Sequence, residues 1–175
     1  MEMYDYKGKA VTHRFASVNG IRMHYVTAGE GPVLLLLHGT PKSNYYWCDV
    51  MPLLTKNFTV VAPDLRGFGY TDKPGASEGY DNLTMVQDLD ELMTQLGHDR
   101  FYIHGEDRGA EYAFVYCAKH KEKVIALSYG EMAVSGYGIE EASYFTEENL
   151  KAQYNGTGKW LWHVPFFFTQ NIPVM

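Results

Sequence analysis

The feature that most constrains this fold is the pentapeptide Gly105-Glu106-Asp107-Arg108-Gly109. Its G-x-nucleophile-x-G spacing is typical of a sharp turn between a strand and a helix, which exposes the central side chain above a sheet. An apolar segment, Phe101 to His104, precedes the turn, and apolar residues at helical intervals follow it. The sequence therefore predicts strand, turn and helix in that order, with glycines that allow close backbone approach.

The central Asp107 determines which chemistry this turn could perform. A serine needs a neighbouring base before it can attack, whereas a carboxylate is already ionised at neutral pH. Such a carboxylate can attack the carbon of an epoxide or alkyl halide and form an ester. Water activated by a general base must then hydrolyse that ester. The residues alone leave open that Asp107 only caps the following helix.

Composition predicts one domain with a real core, because 46% of the 175 residues are apolar. The net charge of −6 is spread along the chain, which argues against nucleic-acid binding. The longest apolar run, Val33 to Leu37, is too short to span a membrane, and the acidic N-terminus is unlike a signal peptide. Cys48 and Cys117 lie far apart without metal spacing, so we expect reduced thiols in a cytoplasmic protein.

Alternating apolar segments predict a doubly wound α/β sheet. The dipeptide Asn19-Gly20 predicts a hairpin between the first two strands. We expect helices at Asn44 to Leu54, at Leu83 to Leu96 with a capping box from Thr84, and after Asp107. Strands are predicted at Val11 to Val18, Ile21 to Thr27, Val33 to Leu37, Phe58 to Ala62, Phe101 to His104 and Val124 to Tyr129.

The character of the chain changes near residue 132. Residues 1–131 read as the N-terminal part of a core, whereas residues 132–175 are aromatic and lack strand–helix alternation. The second segment is predicted to begin a helical cap over the strand ends, where α/β sheets bind ligands. The alternative is an amphipathic helix pair that packs its aromatic residues in a core.

Three motifs follow apolar strands in order: His38-Gly39-Thr40-Pro41, then Asp64-Leu65-Arg66-Gly67-Phe68-Gly69, then the Asp107 pentapeptide. Together they resemble the α/β-hydrolase superfamily, in the branch that uses an aspartate nucleophile. That branch includes epoxide hydrolases, haloalkane dehalogenases and fluoroacetate dehalogenases. The resemblance implies a mostly parallel sheet with flanking helices, a small apolar epoxide-type substrate, and neither cofactor nor metal. The Asp64 motif is interpreted as a structural loop.

The resemblance also implies roles for individual residues. Thr40 and Arg108 would supply the two backbone N–H groups of an oxyanion hole. Glu131 follows the strand after the elbow and would be the acid that orients the base histidine, although a solvated Glu at a strand end is the alternative. His38 is expected to line the substrate pocket and is not assigned as the base.

The aromatic segment contains His163, which resembles a cap histidine of Cif-like epoxide hydrolases. There such a histidine, paired with a cap tyrosine, donates a hydrogen bond to the epoxide oxygen. The alternative is a packed histidine with satisfied hydrogen bonds. The expected pocket residues around it are Trp160, Trp162, Phe166 and Phe167.

Departures from the subfamily patterns favour the epoxide hydrolase interpretation. Haloalkane dehalogenases usually have Asn and Trp at the positions of Thr40 and Arg108. Fluoroacetate dehalogenases carry a second arginine where this chain has Glu111, whose charge would repel an anionic substrate. The alternatives are a dehalogenase that uses the same ester mechanism and a catalytically silent, hydrolase-like binding protein.

The superfamily normally continues through a cap, further core strands and a loop that carries the catalytic histidine. No histidine of this chain matches that loop. We therefore expect the catalytic His and cap Tyr in a missing or separate C-terminal portion of the same enzyme. A homodimer is possible, whereas nucleic-acid and membrane partners are not expected.

Overall fold

The computed structural model describes residues 11–75 and 79–132, together with the isolated positions 147 and 151. The described residues up to 132 belong to one compact unit. Its strands are β1 (Thr12–Val18), β2 (Ile21–Ala28), β3 (Val33–Leu37), β4 (Thr59–Pro63), β5 (Phe101–Glu106) and β6 (Val124–Gly130). Its helices are a 3₁₀ turn (Asn44–Trp47), α1 (Met51–Leu54), α2 (Asn82–Gln95) and α3 (Arg108–Lys119). Within the described ranges, no helix is long and apolar enough to cross a membrane.

The six strands form one sheet in the order β1-β2-β4-β3-β5-β6. β2 pairs antiparallel with both β1 and β4. β4, β3, β5 and β6 run parallel to one another. Asn19 and Gly20 both have positive φ, 43° and 77°, as the predicted hairpin requires. The α/β prediction is thus confirmed. Because the carboxyl ends of parallel strands share one edge, the loops after β3 and β5 lie side by side there.

The core lies on both faces of the sheet, which explains the continuous apolar run of β3. Leu35 and Leu37 belong to the cluster beneath α2 and α3, where Val86, Leu89 and Tyr116 are also buried. Leu34 and Leu36 belong to the opposite cluster. That second cluster includes Trp47, Cys48, Met51, Val60 and Ala62.

The helix predicted from Asn44 to Leu54 is divided into the 3₁₀ turn and α1. Pro52 lies in the first turn of α1, where its missing N–H costs no intrahelical hydrogen bond. Proline is well accommodated at such a start and poorly in a helix interior. The division therefore reflects the position of Pro52, which the prediction from apolar periodicity did not take into account.

α2 begins earlier than predicted, and the Thr84 capping box is wrong. The Asp81 side chain caps the helix instead, because its Oδ1 accepts hydrogen bonds from the N–H groups of Leu83 and Thr84, each at 3.0 Å. The helix also faces the core differently, since Leu83 is 58% exposed. The buried residues of the helix are Met85, Val86, Asp88, Leu89, Leu92 and Met93.

Candidate active site

Asp107 lies at the junction of β5 and α3, with φ 56° and ψ −132°. A non-glycine residue with positive φ is strained and persists only where its surroundings impose it. The flanking glycines impose it here. A Cβ on Gly105 would lie 2.1 Å from the Gly109 oxygen, and one on Gly109 would lie 2.3 Å from the Leu37 oxygen. Two close backbone approaches thus fix the turn that presents the Asp107 carboxylate.

One oxygen of this carboxylate is held by two backbone donors. The N–H of Arg108 donates to Asp107 Oδ1 at 2.5 Å, and the N–H of Thr40 donates to the same oxygen at 3.2 Å. The other oxygen, Oδ2, has no recorded hydrogen bond within the described ranges. The backbone therefore orients the carboxylate through one of its two oxygens.

The loop after β3 brings Thr40 to the elbow. The Lys42 N–H donates to the Gly39 carbonyl at 3.1 Å and closes a tight turn that contains a cis Thr40–Pro41 peptide. A Cβ on Gly39 would lie only 2.4 Å from the Asp107 Cβ. Glycine is required at position 39 because the loop backbone rests against the nucleophile candidate.

His38 is fully buried and braces this loop. Its Nδ1 bonds the Gly39 carbonyl at 2.8 Å, and its Nε2 accepts the N–H of Leu65 at 3.1 Å. Burial lowers the pKa of His38, so the neutral imidazole donates from Nδ1 and accepts at Nε2. Both ring nitrogens are thus used inside the core, and this geometry favours a bracing role over the predicted contact with substrate.

The Asp64 motif matches its predicted structural role. The buried Asp64 carboxylate accepts hydrogen bonds from the N–H groups of Asn44 and Tyr70, at 2.7 and 2.9 Å, and pairs with His24 at 2.8 Å. Burial opposes ionisation of this group, but those hydrogen bonds outweigh it and lower the pKa of Asp64. The motif fixes the loop after β4 beneath the site.

The Arg108 side chain has partners that sequence reasoning missed. Its guanidinium pairs with the Glu111 carboxylate one turn along α3. Asn82, at the start of α2, donates to Glu111 at 2.8 Å and accepts from Arg108 at 3.4 Å. The (i, i+3) spacing of Arg108 and Glu111 was a usable signal for this pair. Glu111 therefore forms an ion pair with Arg108 of the same helix, and its repulsion of an anionic substrate stays a prediction.

Lys42 and Tyr46 are two further residues beside the site that the sequence did not predict. Both contact the Glu106 carboxylate, which immediately precedes Asp107. These residues are more than 50 positions away along the chain, and no local pattern links them to the elbow. Only the parallel pairing of β3 with β5 brings the loop after β3 to this carboxylate.

Glu131 directly follows β6, is exposed and has φ 56°. The preceding Gly130 carbonyl accepts the N–H of Asp107 at 3.1 Å, so the backbone at this strand end adjoins the elbow. The role of Glu131 as the triad acid stays a prediction.

The predicted cap and pocket residues lie outside the described residues; they are Trp160, Trp162, His163, Phe166 and Phe167. In the part of the chain that is described, no group of three or more His, Cys, Asp or Glu side chains could hold a metal ion.

A family model for the α/β hydrolase fold matches residues 32–128, and the chain belongs to that family. Among curated proteins, it is 47% identical over 117 residues to a soluble epoxide hydrolase from Corynebacterium sp. (strain C12), covering 67% of this chain and 40% of that protein. It is 36% identical over 135 residues to a fluoroacetate dehalogenase from Burkholderia sp., covering 75% of this chain and 44% of that protein.

Solved structures agree with this placement. An epoxide hydrolase from Vigna radiata superposes with a TM-score of 0.64 at 37% identity, covering 67% of this chain and 39% of that one. The ligand-free structure of the epoxide hydrolase CorEH gives a TM-score of 0.65 at 47% identity, covering 67% of this chain and 41% of that one. The chain thus spans less than half the length of these relatives.

Proposed function

We propose that this chain forms part of an epoxide hydrolase in which Asp107 is the nucleophile. The observation that carries the proposal is the arrangement of the Asp107 carboxylate. It occupies the position usual for a serine, with Oδ1 held by the N–H groups of Thr40 and Arg108 and Oδ2 without a recorded partner among the described residues. That geometry suits a nucleophile that needs no deprotonation.

In the first step, Asp107 Oδ2 attacks one carbon of the epoxide, and the bond from that carbon to the ring oxygen breaks. The ring oxygen takes a proton and becomes a hydroxyl group, while Oδ2 becomes the alkyl oxygen of an ester. His163, on the proposed cap of residues 132–175, would donate the hydrogen bond that this oxygen needs, together with a cap tyrosine. Positioned proton donors of this kind contribute roughly 10²–10⁴ in rate.

In the second step, water attacks the carboxyl carbon of Asp107. The held oxygen Oδ1 is then the ester carbonyl oxygen, and it acquires the negative charge of the tetrahedral intermediate. Two N–H groups already directed at this atom stabilise that charge without reorganisation. A histidine from the C-terminal portion of the same enzyme would activate the water, and Glu131 would orient that histidine. Collapse of the intermediate releases a diol and restores the carboxylate.

The Arg108 pair favours an epoxide over a haloacid. An arginine that binds a substrate carboxylate must direct its guanidinium at that substrate to form an ion pair with it. Here Glu111, which is buried, engages the Arg108 guanidinium, and Asn82 bonds both partners. A neutral substrate does not need that charge. The epoxide hydrolase names of several relatives support the same choice, while the fluoroacetate dehalogenase relative keeps halide displacement as the competing outcome.

The test is rapid-quench intact mass spectrometry of the protein during its reaction with styrene oxide, which traps the ester before water hydrolyses it, followed by peptide mapping. We expect an adduct that adds the full mass of the epoxide and maps to Asp107. Asp107→Asn should form none, because an amide cannot make this ester, whereas Asp99→Asn, a matched change at an exposed carboxylate, should behave as wild type.

Chloroacetate provides the competing measurement. An adduct from chloroacetate, with chloride release and none from the epoxide, would indicate a dehalogenase. Binding without any adduct would indicate a silent hydrolase-like protein. The cytoplasmic location and the homodimer stay predictions.

A further inference from the structure

Two carboxylates follow one another at the elbow. Glu106 is the last residue of β5, and Asp107 is the turn residue that begins α3. An uncompensated Glu106 would disfavour an anion on Asp107 by like-charge repulsion. It would also compete for any cation that approached the site. The reaction proposed above therefore needs the Glu106 charge to be balanced.

The structure balances it with groups from the loop after β3. Lys42 Nζ lies 2.8 Å from Glu106 Oε1, and the Tyr46 hydroxyl donates to the same oxygen at 2.6 Å. The ammonium also lies 4.1 Å from the centroid of the Tyr46 ring. Lys42 and Glu106 are 25% and 16% exposed, so their interaction is less screened than that of a surface pair.

The charges of this cluster reinforce one another. Burial opposes ionisation of Glu106, but the hydrogen bonds from Lys42 and Tyr46, with the Lys42 charge and a smaller contribution from His104, lower the pKa of its carboxyl. Burial likewise disfavours charged Lys42, but the Glu106 hydrogen bond and charge, with smaller contributions from Tyr46 and Asp107, raise the pKa of its ammonium.

Lys42 is also linked to the donor that holds the nucleophile. It follows Thr40 by two residues, and its N–H closes the turn on Gly39 at 3.1 Å. The Lys42–Glu106 pair thus joins the loop that carries the Thr40 N–H to the strand residue before Asp107. The 3.2 Å hydrogen bond from the Thr40 N–H to Asp107 Oδ1 connects the same loop to the same elbow.

We propose that Lys42 is a positioning residue for the reaction: its ammonium neutralises Glu106 beside the nucleophile and ties the Gly39–Thr40 loop to the elbow. This inference rests on the proposed function for its meaning in catalysis. Its electrostatic content, that the Lys42 cation keeps the Glu106 carboxyl ionised beside the nucleophile, can be measured without any substrate.

The first measurement is the rate of adduct formation on Asp107 with styrene oxide at neutral pH. We expect Lys42→Met to slow it about tenfold or more, because the unbalanced Glu106 charge repels the Asp107 carboxylate out of its reacting position and small misplacements of a reacting group are costly. Lys42→Arg should retain most of the rate. The double variant Lys42→Met/Glu106→Gln should recover most of it, because it removes the unbalanced charge. Lys56→Met is the matched control and should match wild type. Lys56 is exposed and precedes β4, at the amino ends of the parallel strands, whereas the site lies at their carboxyl ends.

The second measurement needs no substrate. A water-soluble carbodiimide with glycine ethyl ester labels protonated carboxyl groups, and peptide mapping reports the rate at Glu106. At pH 5.5 we expect several-fold faster labelling of Glu106 in Lys42→Met than in wild type, and a rate near that of wild type in Lys42→Arg, because the Lys42 cation lowers the pKa of the Glu106 carboxyl.

The outcomes separate the two ideas. A double variant that forms the adduct no faster than Lys42→Met, or unchanged Glu106 labelling in Lys42→Met, would overturn the charge-balancing role and leave a simple structural contact. The expected labelling pattern without any epoxide adduct would support the inference while refuting the epoxide hydrolase proposal. Adducts at equal rates in every variant, with equal labelling, would support the proposed function and refute the inference.

Discussion

Substitution of Gly39 by alanine tests whether contact between the loop and Asp107 sets the reactivity of the carboxylate. Gly39 does not have a positive φ, so only space opposes a side chain there. The new Cβ would lie 2.4 Å from the Asp107 Cβ and 2.7 Å from both its Cγ and Oδ1, whereas ordinary contacts begin near 3.4 Å. Asp107 or the loop must therefore retreat by about 1 Å, since ordinary van der Waals separation must be restored.

A retreat of that size would break the Thr40 hydrogen bond. The N–H of Thr40 is 3.2 Å from Asp107 Oδ1, so an added 1 Å, by the same packing estimate, exceeds hydrogen-bonding distance. Misplacement of a reacting group by about 1 Å costs around 10² in rate, or about 2.7 kcal/mol of barrier. We expect Gly39→Ala to form the styrene oxide adduct about a hundredfold more slowly, measured by time-resolved intact mass spectrometry.

Gly130→Ala is the matched control beside the same site. Its Cβ would meet the His104 ring at 3.6 Å and the Gly105 oxygen at 3.7 Å, which are ordinary contacts, and Gly130 also has no positive φ. We expect a rate within about threefold of wild type, as small changes in uncrowded space are tolerated. Equal rates for both variants, or a greater loss in Gly130→Ala, would refute the reasoning from loop contact.

Three further predictions concern Glu131, His38 and Asp88. Glu131→Gln should lengthen the lifetime of the Asp107 ester without slowing its formation, as followed by intact mass; equal effects on both steps would contradict its role as the triad acid. The unfolding free energy should fall as pH drops below about 6.5, because burial lowers the pKa of folded His38 and the unfolded chain binds the extra proton. Chemical denaturation of His38→Gln should show a shallower decline, and an unchanged one would count against this origin. Asp88→Ala should cost about 3–5 kcal/mol in urea denaturation, because it leaves the buried Arg66 guanidinium without its carboxylate partner, whereas exposed Asp99→Ala should cost less than about 0.5 kcal/mol.

Local patterns were sufficient for most of the strands and for the elbow. The run Val33 to Leu37 has the bounds that its apolar sequence predicts, because a central parallel strand is buried on both faces. The start of α2 was misplaced, because Asp81 and Thr84 are both good caps and the choice depends on which turn packs against the core. In α3, the apolar Phe114 is 45% exposed, whereas Tyr116 is fully buried, so apolar spacing alone does not specify the buried face of this helix.

The sequence by itself determined which residues meet at the elbow, that the central one is a carboxylate, and that a glycine loop follows the first parallel strand. These are properties of neighbouring residues, which turn geometry and periodicity govern. Tertiary structure decided that N–H groups on residues 40 and 108 converge on one oxygen of Asp107, across 67 positions of chain in the case of Thr40. It also decided that Lys42 balances Glu106 and that Asn82 joins the Arg108 pair. Such contacts depend on strand order and register, which no local pattern specifies because they arise only when the sheet assembles.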